Sequence, residues 1–215
     1  MDKYYELTEK MKKLSHSDDH EEILKNIAIR RSKILKSSEN KISTLETLLG
    51  KMDRDTDHLL VYCDTGGQLK ETQEIFNQRN FITHKFTGDE GMDERKKILK
   101  FFDTGSYQAL LSMKCLDEGV DVPSTRTAII MASSGNSREY VQRRGRVLRK
   151  SPGKKYAVIY DFVVLPPKEQ IDTLARQILQ KEFTRVLDFV KTAKNKVDII
   201  DNLIDTMRKY DVYLG

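Results

Sequence analysis

The residue types best suited to chemistry are concentrated in Ser137–Arg149, SREYVQRRGRVLR. Placed on a helix at 100° per residue, Arg138, Gln142, Arg146 and Arg149 fall within about 40° of one line. Tyr140 and Val147 lie roughly opposite, where they can pack against a sheet. The segment can therefore present guanidinium groups and one amide while it is anchored from behind. Guanidinium is permanently charged and grips anionic oxygens through two parallel hydrogen bonds, which points to phosphate. Arg144 falls in the apolar arc, so the helix is expected to end near Gly145 and to deliver Arg149 from a turn. The surroundings agree: Arg138–Lys155 holds eight basic residues and one acid, a local charge of +7 against +5 for the whole chain. The field of this one region favours a polyanion.

Three shorter segments could join it. Asp117–Pro123, DEGVDVP, sets two acceptors around Gly119, which permits a backbone approach that a Cβ would obstruct. Tyr62–Gly67, YCDTGG, offers paired glycines and the Thr65 hydroxyl at the start of a helix, a place where backbone N–H groups meet phosphate. Phe86–Asp89, FTGD, repeats the Thr-Gly pair, with Arg95 a turn or so further on.

The elements that must position these segments lie in residues 56–165. Short apolar runs recur at His58–Cys63, Phe81–Phe86, Tyr107–Ser112, Thr127–Ala132 and Tyr156–Phe162. They are rich in β-branched and aromatic residues and do not alternate at their centres, as strands buried on both faces of a parallel sheet do not. Helical patterns at Gln68–Gln78, Asp93–Phe102 and Ser137–Leu148 separate them. Strands alternating with helices predict βαβ crossovers and a three-layer α/β domain. Ligands then bind beyond the carboxyl ends of the strands, so all four segments are expected to share one edge. Residues 1–55 form a polar, helical N-terminal zone, with one helix from near His20 after a Ser17-Asp18-Asp19 cap and another over Glu39–Leu49. Pro166-Pro167 closes the sheet zone, and residues 166–215 are helical again, with a last helix at Lys196–Tyr210.

Composition removes several classes of protein. With 38% hydrophobic and 33% charged residues the chain can build a core and is not a disordered tail. No run approaches the roughly 18 apolar residues of a membrane span, and the opening MDKYYELTEK carries charge where a secretory leader needs an apolar stretch. Cys63 and Cys115 sit within apolar segments, as reduced thiols of a cytoplasmic protein do. The histidines and cysteines show no metal-ligand spacing, and no nucleophile elbow is present.

On DEGVDVP and QRRGRVLR, with the Thr-Gly segments and the alternating strands between them, residues 56–165 strongly resemble the second RecA-like lobe of superfamily-two helicases and translocases. XPB-type repair helicases and restriction-system motor subunits are the most similar in this pairing of motifs. The resemblance implies a helicase C-terminal lobe with helical extensions at both ends. It implies that Arg146 and Arg149 act as arginine fingers on the γ-phosphate of ATP, with Gln142 helping to position the nucleotide. Gly119 and Asp121 would lie near the ribose and a coupling water. Thr65, Gly66, Thr87 and Gly88 would meet the phosphates of a tracked strand. DNA is the implied partner, with RNA left open; no membrane partner is implied. Met113-Lys114 departs from the small or hydroxylated residues of many relatives.

Two hallmarks of such motors are missing from the sequence. There is no GxxxxGK[ST], since Leu148 stands where Gly153-Lys154 would need glycine, and no DEAD or DExH quartet follows a strand. The phosphate cradle and the acids that hold Mg2+ would belong to a separate first lobe. The chain is thus expected to be half of an enzyme, inactive alone, and more readily part of a longer polypeptide than a subunit acting in trans. A binding module that kept the fold without turnover, and an unrelated small-molecule phosphate-binding domain, are the rival readings.

Overall fold

Each of the five apolar runs loses a residue or two at one end or both when it becomes a strand, and all five strands run parallel. The computed structural model describes residues 2–14, 20–36, 39–113, 122–131, 141, 144–165 and 173–213. Strand β1 (Leu59–Cys63) lies at the centre of the sheet, between β3 (Ala109–Met113) and β4 (Thr127–Ile130). Strands β2 (Thr83–Phe86) and β5 (Val158–Asp161) close the two sides, giving the order β2-β3-β1-β4-β5. Every pairing is parallel, with Leu60 opposite Leu110 and Ala128 across the middle. The expectation of strands buried on both faces holds for the three inner strands. It does not hold for β2 and β5, which are mostly half-buried because each has a neighbour on one side only. Sequence runs of similar apolarity cannot announce which of them will be an edge.

Two helices cover one face. Helix α3 (Glu39–Leu49) contributes Leu45 and Leu49, and α4 (Gly66–Gln78) contributes Leu69, Ile75 and Phe76, to a core completed by Leu59, Val61, Leu111 and Ile129. The strand pleat sends Leu60, Tyr62 and Leu110 to the opposite face. They are equally buried, as are Ile98 and Phe102 of α5 (Met92–Asp103). Helix α3 thus belongs to the core of the sheet although its composition grouped it with the polar N-terminal zone. Its Lys41 is buried, and the Lys41 ammonium donates to the Met131 carbonyl at 2.5 Å, tying the helix to the end of β4.

Helices α1 (Asp2–Leu14) and α2 (Glu21–Lys36) pack on each other. Tyr4 and Thr8 of α1 and Ile27 and Arg31 of α2 are buried. The Arg31 guanidinium donates to Tyr4 Oη at 2.6 Å and lies 4.5 Å from the Tyr4 ring centre. Tyr4, Leu7, Thr8 and Met11 carry the i, i+3, i+4 spacing that marks α1 within the polar N-terminal zone. The proposed Ser17–Asp19 cap lies outside the described residues.

The chain divides into two compact units, Met1–Phe162 and Val163–Gly215. In the second, α6 (Thr173–Val190) and α7 (Lys196–Lys209) share a small core of Leu179, Phe183, Leu203 and Val212. Among the described residues no helix is long and apolar enough to cross a membrane.

Candidate functional site

A sheet with every strand parallel gathers all its carboxyl ends on one side. The turns after β1 and β2 therefore open onto the same edge, and β3, which lies between those strands, ends there too.

In the first turn, Thr65 is the N-cap of α4: its hydroxyl oxygen accepts the Gln68 N–H at 3.2 Å. Gln68 is buried, and its Oε1 in turn accepts the Asp64 N–H at 2.8 Å. Gly66 and Gly67 form the exposed first turn of the helix, and neither has positive φ. A Cβ at Gly66 would meet nothing within 4 Å, and one at Gly67 only the Thr65 hydroxyl at 3.9 Å. Neither the backbone nor the packing of this chain requires glycine there. The first turn of α4 also carries no acidic residue, so the positive end of the helix dipole faces the edge without a countercharge of its own.

The second turn, after β2, is built differently. Gly88 has φ of +98°, a conformation that disfavours any Cβ. Its N–H donates to Glu90 Oε2 at 2.8 Å, and the Thr87 N–H donates to Glu90 Oε1, also at 2.8 Å. The Thr87 hydroxyl adds bonds to Glu90 Oε1 at 3.0 Å and Asp89 Oδ2 at 3.2 Å. Arg95 braces the loop from beneath, donating to the carbonyls of Gly88 at 2.7 Å and Glu90 at 3.0 Å. Partial burial of the Glu90 carboxyl raises its pKa, but the hydrogen bonds from Thr87, Gly88 and its own N–H outweigh that and hold it below the usual 4.5.

The arginine segment is described from residue 144. Residues 144–147 are helical, Leu148 turns, and Arg149 follows outside the helix. The helix thus ends two residues later than the Gly145 expected from the misplaced Arg144, although Arg149 does come from a turn. Val147 is fully buried as the anchor, Arg146 is half-buried and Arg149 is exposed. Lys154 was counted with the basic field, yet the Lys154 ammonium turns inward. It donates to the Val147 carbonyl at 2.6 Å and the Pro123 carbonyl at 3.2 Å, and burial lowers its pKa. This one side chain clasps the end of the arginine segment to the end of DEGVDVP.

That clasp corrects the expectation of a single shared edge. The chain leaves Pro123 through Thr125, and the next N–H, of Arg126, bonds the His58 carbonyl just ahead of β1. Pro123, and with it Val147, therefore lies toward the amino ends of the strands, away from Thr65 and Thr87. The structure brings Thr65 and Gly66 to one edge with Thr87 and Gly88, and the close of the two longest motifs to the other. Gln142, Gly119 and Asp121 lie outside the described residues, as do Arg138 and Lys114. The sequence reading missed Glu90 and Lys154. A Thr-x-x-Glu spacing, in which an acid reaches back to the threonine N–H, was the available signal for Glu90; Lys154 had none, because its partners are distant carbonyls. Among the described residues no group of three His, Cys, Asp or Glu is arranged to hold a metal ion.

The architecture is that of a RecA-like helicase lobe. The C-terminal domain of the DEAD-box protein Dbp5 superposes with a TM-score of 0.53 at 18% identity, over 70% of this chain and 80% of that one. The family described as helicase conserved C-terminal domain matches residues 40–151, just over half of the chain, and the chain belongs to that family. It is similar to the DNA 3'-5' translocase XPB2 of Sulfurisphaera tokodaii, at 31% identity over 59% of this chain and 27% of the relative. It is also similar to the ATP-dependent RNA helicase eIF4A of Kluyveromyces lactis, at 30% identity over 40% of this chain and 22% of the relative. The chain thus spans about a quarter of the length of the curated relatives it matches. The family match begins at residue 40, within α3, in keeping with the place of that helix in the core.

Proposed function

We propose that this chain is the C-terminal motor lobe of an ATP-dependent DNA helicase or translocase that works in the cytoplasm. The observation that carries the reading is the pair of separate poles on one RecA-like lobe. One is an edge with an open helix start at Gly66 and Gly67 and a carboxylate-filled pair of N–H groups at Thr87 and Gly88, both suited to strand phosphates. The other is an arginine segment anchored by buried Val147 and clasped by Lys154, with Arg149 exposed and Arg146 half-buried.

On this reading Arg146 and Arg149 reach the γ-phosphate of ATP, and Gln142 helps to orient the nucleotide. Gly119 and Asp121 lie near the ribose and a coupling water. The triphosphate and its Mg2+ are held mainly by an N-terminal RecA-like lobe, the obligate partner. ATP, when bound, would supply the phosphoryl group that passes to water; the residues of this chain contribute positive charge to that transfer and a grip on the strand. Thr65, Gly66, Thr87 and Gly88 contact that strand through hydroxyl and backbone groups. Residues 1–55 and 166–215 are extensions of the lobe 56–165, except for α3, which packs in the core of that lobe. The similarity to the DNA translocase of Sulfurisphaera tokodaii supports DNA as the track.

The test is Arg146→Ala in the full-length polypeptide. ATP turnover should fall by about 10³-fold, the scale of a lost arginine finger, while most nucleic-acid affinity remains. Turnover near the wild-type rate would remove the finger assignment.

A further inference from the structure

The turn after β2 is an anion seat that already holds an anion. Two successive N–H groups, Thr87 and Gly88, converge on the two oxygens of a single carboxylate, each at 2.8 Å, with the Thr87 hydroxyl adding a third donor at 3.0 Å. Consecutive N–H groups converging in this way form a concavity that takes carboxylate or phosphate oxygens alike. The occupant is tethered two residues away, on Glu90.

Two features brace the loop separately from its occupant. Arg95 grips the carbonyls of Gly88 and Glu90 rather than the carboxylate, and its guanidinium lies 5.9 Å from the Phe86 ring centre. The positive φ of Gly88 is a conformation that glycine adopts without steric cost. Glu90 is only partly buried, so rotation of its side chain returns the carboxylate to water, at the cost of its hydrogen bonds to Thr87 and Gly88.

We propose that Glu90 is a displaceable stand-in for a strand phosphate, so that nucleic acid engages Thr87 and Gly88 only by expelling its carboxylate. This rests on the reading of Thr87 and Gly88 as strand contacts. A phosphodiester presents two unesterified oxygens to the same two amides, and the exchange is charge for charge. The carboxylate sets a threshold: the apparent dissociation constant is the intrinsic one divided by the fraction of time the seat is vacant. A strand held at several points along the edge passes that threshold; an isolated phosphate does not.

The experiment titrates the 215-residue chain with single-stranded oligothymidylate, following affinity by anisotropy and the Thr87 and Gly88 amides by ¹⁵N spectroscopy. Glu90→Ala should tighten binding roughly three- to tenfold, the factor for a seat occupied most of the time, with larger shifts of both amides at equal oligonucleotide. Asp93→Asn removes the same charge from an exposed position that touches neither amide, and should change affinity less than about twofold. If alanine loosens the loop, Glu90→Gln, which keeps the side-chain shape but bonds the amides more weakly, should give an intermediate gain. Equal affinity for wild type and both Glu90 variants, with the two amides shifting alike, overturns the stand-in while leaving the strand contact intact. A gain with Asp93→Asn as large as with Glu90→Ala also overturns it, as a general charge effect. Amides that never move, while others do, remove the strand contact itself.

Discussion

Two turns of this molecule begin with the same dipeptide, on the same edge of the same sheet. Thr65-Gly66 follows β1 and Thr87-Gly88 follows β2. In the first, the threonine hydroxyl is spent as a helix cap, and the glycines face open space at a helix end without acids. In the second, the glycine is forced by a φ of +98°, and both amides are closed by a carboxylate of the same loop. A Thr-Gly pair after a parallel strand is therefore not one device. One turn keeps its donors facing outward by leaving the helix start bare; the other pre-forms a tight seat and fills it.

The two glycines separate the turns most sharply. Gly88→Ala should destabilise the fold by about 1–2 kcal/mol, the penalty of placing a Cβ on a left-handed backbone, seen as a lower denaturant midpoint. Gly66→Ala should be neutral or stabilise by up to about 1 kcal/mol, through the unfolded chain's lost freedom. The comparison breaks if both substitutions cost the same.

A smaller contrast lies in the hydroxyls. Thr65→Ala should cost about 1 kcal/mol as a lost N-cap, whereas Thr87→Val, whose hydroxyl bonds only partly exposed carboxylates, should stay within about 0.5 kcal/mol. Urea melts of the two variants measure the difference.

The smallest effect is on pH dependence. Because the folded-state pKa of Glu90 is held below its usual 4.5, the stability it contributes is complete above that value and is lost as pH falls through the lower, folded one. The gap in urea midpoint between wild type and Glu90→Gln should narrow on acidification below about pH 4.5. A gap unchanged between neutral and acid solution would mean that the carboxylate charge is not what binds the two amides.

Much of this was legible from residue order. The apolar runs predicted five strands to within two residues at most ends, and α5 and α7 to within one, because strand and helix formation respond to patterns a few residues long. Helix α4 begins two residues before the expected Gln68, because Thr65 caps it ahead of two glycines that argue against helix. The placement of Thr65 and Thr87 on one edge followed from parallel strands alone. The placement of the arginine segment did not follow: only the clasp from Lys154 to Val147 and Pro123 reveals where it ends.

Residue order by itself determined the class of fold, the concentration of arginine in one segment and the lack of a GxxxxGK[ST] pattern in this sequence, since each is a property of local pattern or of side-chain chemistry. Tertiary structure alone decided which strands became edges, that Lys154 serves two carbonyls instead of the positive field, and that Lys41 reaches a carbonyl 90 residues further along. Burial is the physical reason. Whether a charged group meets water, an anion or a carbonyl depends on what distant segments place around it, and no short-range pattern encodes that.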